Sequence, residues 1–411
     1  MTKSNDIVFE KLIHAPADLI YRAFTSATAV REWLCHISTS NPEEGGWFNF
    51  AWNNGYYASG HFINLVPNGA VSMAWIGKNE PNWTVVEVTI NPTDNKDNNL
   101  VRMFHKGFGE GEVWDTARQR MVSGWELGLN NLKSTLEDGI DLRIANRPVI
   151  GIYPEDVANL NESTQTSLNI PINYGVLVTE PLPDYGAEKA GIQKNDVIYD
   201  IDGKKVENIR SLTILVNTYK PGDQLNVAVY RDQESIVFSV ETMAQGLQDV
   251  PSSPEELAKA LEAKNFTALE ALESALSDIS ETEASFSPGP EEWSAKEVLV
   301  HLIHDEREIH RWMNDLVSDQ ERFYVTWPGD RLFRIRATLT SYPNIDSLIA
   351  ELRRSLKETI ASVAFLDQSF TRRKASYRRL AIELLGATKH IYEHIEQIKN
   401  NIMTARSQLN Q

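Results

Sequence analysis

Three histidines in the last third of the chain have the types and spacing of metal ligands. His301 closes the run Trp293-Ser294-Ala295-Lys296-Glu297-Val298-Leu299-Val300-His301, and His390 and His394 come far downstream. A pair at i and i+4 lies on one helical face. A third imidazole from a second helix completes three neutral nitrogen donors. That is the ligand set of an open divalent-metal site, with a position left for water or substrate. Zinc and nickel both suit three imidazoles. His304, one turn from His301, competes as a ligand. Asp305 and Glu306 are candidate outer acceptors that would fix an imidazole tautomer. A metal held this way can lower the pKa of a bound water and supply a nucleophile.

The elements that must position these residues sit in a long, acidic chain. Its 411 residues correspond to about two to four domains. Basic and acidic residues number 12 and 17 in 1–145, 8 and 14 in 146–245, and 20 and 26 in 246–411. No segment is basic overall, which disfavours phosphate-driven nucleic-acid binding. The local cluster Arg372, Arg373, Lys374, Arg378 and Arg379 reads as a solvated helix face. One cysteine, Cys35, permits no intramolecular disulfide and suits a reducing compartment. Met1 to Glu10 lacks an apolar stretch of signal-peptide length, and no run approaches a membrane span. The expectation is a soluble cytoplasmic protein with no membrane partner.

Residues 1–143 read as an α+β domain. Ala17–Ser26 has helical apolar spacing, with Pro16 at its start and Asp18 in its first turn. Strand-like runs follow at Gly46–Trp52, Tyr56–Asn64, Ala70–Trp75, Trp83–Asn91 and Asn99–His105, with Asn54-Gly55 and Asn68-Gly69 as hairpin turns. Val122–Glu137 reads as an amphipathic helix carrying Trp125, Leu129, Leu132 and Leu136 on one face, a cover for the sheet. The opening Phe9-Glu10-Lys11-Leu12-Ile13-His14-Ala15-Pro16, then Trp33, Gly45-Gly46, Gly60, Pro67, Trp75 and Gly124-Trp125, resembles the START-like (SRPBCC) helix-grip superfamily. The closer match is the branch named for activators of the ninety-kilodalton heat-shock chaperone ATPase. The resemblance implies a cavity between sheet and long helix, lined here by Trp47, Phe50, Trp52, Phe62, Trp75 and Trp125, for a small apolar ligand.

Residues 146–242 read as a second, β-rich domain. Asp196–Asp202 is a strand entering the Asp202-Gly203 turn. Gly186–Ile192 is a short helix closed by Gly191. Ser211–Tyr219 reads as a helix, and Leu225–Arg231 as an alternating strand. Gly175-Val176-Leu177-Val178, Ala187 to Gly191, Asn195-Asp196-Val197-Ile198 and Asp202-Gly203 together resemble a PDZ domain, β-barrel-like, of the bacterial high-temperature-requirement protease type. Such domains capture a protein partner's C-terminal peptide by strand addition. The resemblance places the carboxylate loop on Ile150, Gly151 and Ile152, the glycine allowing close backbone approach. It places the pocket wall on Leu212 and Val216. No protease nucleophile arrangement flanks it.

A polar linker ending in Pro251-Ser252-Ser253-Pro254 leads into residues 253–405. Helices are expected over Pro254–Asp278, Ser294–Leu316, Asn344–Leu366 and Ala375–Ala405, with Ser294 and Glu297 as a capping box. Four such helices suggest an all-α four-helix bundle. Pro290-Glu291-Glu292-Trp293-Ser294 leading to His301, with Gly386, His390, His394 and Gln397-Ile398 in the last helix, resembles the DinB-like superfamily. That superfamily's metal triad transfers onto His301, His390 and His394. The favoured reading is a multidomain ligand- and peptide-binding protein with a divalent-metal site. Two others stand beside it: a metal-dependent thiol transferase or hydrolase acting in the bundle, and a chaperone-associated adaptor acting through the first two modules.

Overall fold

The structure is a computed structural model and describes residues 6–94, 97–160, 162–289, 292–322 and 331–409. It forms two compact units, Met1–Ile140 with Asp249–Gln411, and Asp141–Gln248. Among the described residues, no helix is long and apolar enough to cross a membrane.

The first unit opens with strand β1 (Ile7–His14) and helices α1 (Ala17–Thr25) and α2 (Ala27–Trp33). Strands β2 (Ile37–Ser40), β3 (Trp47–Ala51), β4 (Tyr57–Val66), β5 (Ala70–Gly77), β6 (Thr84–Pro92) and β7 (Asn98–Lys106) follow, then helix α3 (Glu112–Glu137). All seven strands form one antiparallel sheet in the order β1-β7-β6-β5-β4-β3-β2. The meander and its covering helix match the sequence pattern, but β1, β2 and α2 carried no strong periodicity. Helix α3 also starts a full ten residues before the expected Val122, its first turns mostly exposed but placing Trp114, Ala117 and Met121 against the core. Period-2 alternation buries Phe48 and Phe50 on one face of β3 and leaves Trp47 exposed on the other. Trp47 is therefore not part of a lining between sheet and helix. Phe50, Phe62, Trp75 and Trp125 do lie in the core, packed on one another and on Phe48 at ring separations of 4.6–6.1 Å. Trp52 is half-buried, and its indole N–H donates to the Leu34 carbonyl at 2.7 Å.

The second unit holds α4 (Leu142–Ala145), β8 (Pro148–Val149), β9 (Ile152–Asp156), α5 (Glu162–Ser167), β10 (Val176–Pro181) and α6 (Gly186–Ala190). It continues with β11 (Val197–Ile201), β12 (Lys204–Lys205), α7 (Ile209–Val216), β13 (Gln224–Arg231), β14 (Glu234–Glu241) and β15 (Met243–Ala244). The main sheet runs β14-β13-β11-β10-β9 with β12 beside β11, and β15 pairs with β8. Asp202 and Gly203 both have positive φ, as a two-residue hairpin turn requires.

The first unit resumes with α8 (Pro254–Ala275), α9 (Glu281–Ala284), α10 (Ala295–Val317), α11 (Arg331–Ser341), α12 (Ile345–Ala364), α13 (Gln368–Thr371) and α14 (Lys374–Leu409). Helices α8, α10, α12 and α14 make the bundle, each packing on two of the others. They end within a few residues of the expected boundaries. Pro290 and Glu291 of the quoted motif lie outside the described residues. The basic cluster is only partly a solvated face, with Arg372 and Lys374 exposed and four of its residues held by contacts to other segments. Arg372 pairs with Asp18, the Lys374 ammonium donates to the Glu137 carbonyl, Arg373 donates to the Val317 carbonyl, and Arg379 pairs with Glu321 at 2.6 Å. Arg31 meets the same Glu321 at 2.5 Å, and Arg22 bonds both Asp319 oxygens at 2.6 and 3.0 Å. The charge run is thus the seam between the α/β layer and the bundle, which a helical-wheel reading cannot see.

His105 on β7 is fully buried. The Trp125 indole N–H reaches its Nδ1 at 3.1 Å, and its Nε2 lies 2.8 Å from the Thr84 hydroxyl, which donates to the Trp75 carbonyl. A ring accepting at Nδ1 and donating at Nε2 is neutral, and burial pushes its pKa down to about 3. The unfolded chain therefore takes up this proton first. Stability present above about pH 6.5 should be lost as pH falls toward 3, by up to about 1.4 kcal/mol per unit. Urea unfolding between pH 7 and pH 5 should show this slope in the wild type and a flatter one in His105→Gln. Equal slopes would exclude His105 as the cause.

Candidate functional site

The histidines stand on two neighbouring helices with different start signals and a shared core. Helix α10 begins at a capping box, the Glu297 amide donating to the Ser294 hydroxyl at 3.2 Å and the Ser294 amide to the Glu297 carboxylate at 2.7 Å. Its buried face carries Val298, Leu299, Leu302 and Ile303. Helix α14 buries Leu384, Thr388, Ile391, Ile395 and Ile398 at helical spacing. His301, His390 and His394 each sit one position off these buried rows, on flanks that meet. The Asn401 amide donates to the Trp293 carbonyl at 2.6 Å and ties the start of α10 to α14. The Trp293 ring then stands 5.0 Å from His301 and walls one side.

The donor atoms of His301, His390 and His394 all lie within 4.8 Å of one another. His390 Nε2 is 3.1 Å from His301 Nε2 and 3.1 Å from His394 Nε2. His394 Nδ1 is 2.7 Å from the Gln397 carboxamide oxygen. That oxygen only accepts, so Nδ1 carries the proton and Nε2 presents a lone pair to the cluster. Burial lowers the His394 pKa and favours this neutral form. Three imidazole nitrogens converging from two helices are a donor set that fits a divalent metal.

Two neighbouring candidates are placed elsewhere. His304 Nε2 lies 2.9 Å from the Thr338 hydroxyl of α11, and burial, with Arg334 and Arg307 nearby, takes its pKa down to about 4. Glu306 is buried in the bundle, accepting from the Thr359 hydroxyl at 2.7 Å, and burial raises its pKa. Neither orients a ring of the triad. Gln397, which does, was quoted in the motif without a role. Its signal is its spacing, one residue short of a full turn beyond His394.

In the second unit, Ile150, Leu212 and Val216 belong to one buried cluster, with Ile152 packed against it. Strand β9 is an edge strand, and α7 lies alongside it, the Asp156 carboxylate accepting from the Ile209 amide at 2.6 Å. Gly151 has φ +82°, and a Cβ there would meet the Tyr185 side chain at 2.0 Å. The glycine is thus required by its conformation and by Tyr185, a reason other than the expected approach of a ligand. Val178 uses both backbone groups toward Asn195 and Asp196, and it is Pro154's partner in the β9–β10 register. Pro154 therefore turns its carbonyl to the free edge of β9, with no N–H beside it.

Comparison with known proteins divides the chain in the same order. Residues 14–137 match the model of the Activator of Hsp90 ATPase homolog 1-like protein family, residues 148–242 that of the PDZ domain, and residues 267–398 that of the DinB superfamily. The chain carries a helix-grip domain of the activator type, a PDZ domain and a DinB-type helical domain. A curated relative, the serine protease HtrA-like protein of Staphylococcus epidermidis, is 33% identical over 90 residues, 21% of this chain and 15% of its own. The periplasmic serine endoprotease DegP of Escherichia coli K12 is 25% identical over 130 residues, 32% of this chain and 27% of its own. The chain therefore spans only a minor part of these relatives' length. Among solved structures, the Aha1 dimer from Colwellia psychrerythraea is 23% identical with a TM-score of 0.29, covering 33% of this chain and 97% of that one. The HtrA3 PDZ domain bound to a phage-derived ligand is 25% identical with a TM-score of 0.21, covering 23% and 84%.

Proposed function

We propose that this protein is a three-module binding protein, with modules near residues 1–143, 146–242 and 253–405, whose helical bundle holds one divalent metal on His301, His390 and His394. The observation that carries this is the 3.1 Å approach of His390 Nε2 to both other Nε2 atoms. Zinc or nickel fits three imidazoles. When bound, the metal supplies a Lewis-acidic centre. The chain's own residues supply the rest: Gln397 fixes the His394 tautomer, and Trp293 shields the cluster. Full-length protein purified without chelator and equilibrated with zinc or nickel should retain about one ion per chain. The double variant His390→Ala/His394→Ala should lose it with helical content unchanged. Wild-type protein without stoichiometric metal, or a double variant that keeps it, would contradict the proposal.

The PDZ module, in this reading, captures an apolar C-terminal peptide between β9 and α7, with its carboxylate at the Ile150-Gly151-Ile152 loop and its last side chain against Leu212 and Val216. Pro154 withholds a donor from the added strand, so recognition concentrates on the terminus. Amidating a peptide's terminus should weaken binding, because the charged acceptor is lost. Pro154→Val restores an N–H and should tighten a five-residue peptide by about three- to tenfold while leaving a dipeptide unaffected. Equal affinity for free and amidated peptides in a calorimetric titration would exclude carboxylate capture.

A further inference from the structure

The residue one turn beyond His301 faces the wrong ring nitrogens for the role its position suggests. Asp305 Oδ2 lies 3.3 Å from His301 Nε2 and 3.0 Å from His390 Nε2. An outer acceptor that fixes a metal-bound imidazole takes the nitrogen the metal does not use. Gln397 does so, meeting Nδ1 of His394. Asp305 instead approaches Nε2, the atom each ring turns toward its partners. It therefore lies beside the donor atoms of two rings, not behind them.

Two of the three rings bring their Nε2 atoms to within 3.3 Å of the Asp305 carboxylate. Donors about 2.0–2.1 Å from a tetrahedral zinc stand about 3.3–3.4 Å from one another. Four of the six edges among His301, His390, His394 and Asp305 run 3.1, 3.1, 3.3 and 3.0 Å, and Asp305 does not come within 4.8 Å of all three ring donors. A shift of the Asp305 carboxylate toward His394 completes a four-donor set around one ion. We propose that Asp305 is a fourth protein ligand, so that the metal is held by three imidazoles and one carboxylate. The inference rests on the metal reading above and changes its chemistry. A tetrahedral site filled by four protein donors is closed, whereas three imidazoles alone leave a position for water or substrate. A carboxylate also offsets one of the ion's two charges, which three neutral rings cannot do. An outside ligand then enters only by displacing Asp305, whose side chain is 39% exposed. The i,i+4 spacing from His301 puts both donors on one face of α10, just as His390 and His394 share one face of α14.

The test uses full-length protein and metal alone. Cobalt(II) reports coordination number through its visible absorption, and competition with a chromophoric chelator reports affinity for cobalt and zinc. Wild-type protein should give the intense bands of four-coordinate cobalt, unchanged by added azide. Asp305→Ala and Asp305→Asn should bind both metals at least about tenfold more weakly, and their cobalt bands should shift with azide as the vacated position fills. Far-ultraviolet circular dichroism should be unchanged in both, since Asp305 lies on a half-exposed flank. Wild-type affinity in both variants, or wild-type bands that shift with azide as theirs do, would overturn the fourth ligand and leave the histidine site standing. Wild-type protein that binds neither metal would overturn the histidine site itself, and this proposal with it.

Discussion

The packing of α10 against α14 is the constraint on which the chemistry depends. Neither helix holds a complete donor set. His301 and Asp305 come from one, His390 and His394 from the other, and they meet only at the crossing distance and rotation that the buried rows set. Leu299, Leu302 and Ile303 on one side and Ile391, Ile395 and Ile398 on the other belong to a single core cluster. A rotation of either helix by one position would bury an imidazole and expose an isoleucine, a change opposed by about 1.5–3 kcal/mol for each large apolar side chain. The histidines are thus positioned by residues that do no chemistry. The Asn401–Trp293 hydrogen bond fixes the start of α10 where the capping box fixes its first turn.

A second constraint holds the same unit together through charge. Arg31 and Glu321 are both nearly buried, and Arg379 shares the Glu321 carboxylate. Taking such groups out of water is costly, and the pairing offsets that cost only while every partner is present. Burial drives the Arg31 pKa down, and Glu321 opposes that shift. The seam is consequently specific: a displaced α/β layer would leave arginines without carboxylates in a low-dielectric gap.

Much of this was legible in the sequence because periodicity and capping are local. The bundle helices were found with Ser294 and Glu297 marking a boundary, and the meander with Asn-Gly turns. The convergence of His301, His390 and His394 is legible because three positions coincide with one ligand pattern. What escaped depends on contacts between distant segments. The basic residues at 372–379 look solvated on a helical wheel, and their partners Asp18, Glu137, Val317 and Glu321 lie far away in sequence. Gly151 signals a special backbone, but Tyr185 as its neighbour does not show. Trp47 was placed with the inward aromatics although strand alternation beside Phe48 and Phe50 argues otherwise. Asp305 was visible as a neighbour of the site, and its orientation toward Nε2 emerges only when both helices are in place.

Extended X-ray absorption fine structure on the zinc-loaded protein counts the imidazole rings around the ion and separates them from oxygen donors. Three imidazoles and one oxygen at about 2.0–2.1 Å, in four-coordinate geometry, are the expected result. A spectrum with one imidazole or none would contradict the assignment of the metal to His301, His390 and His394.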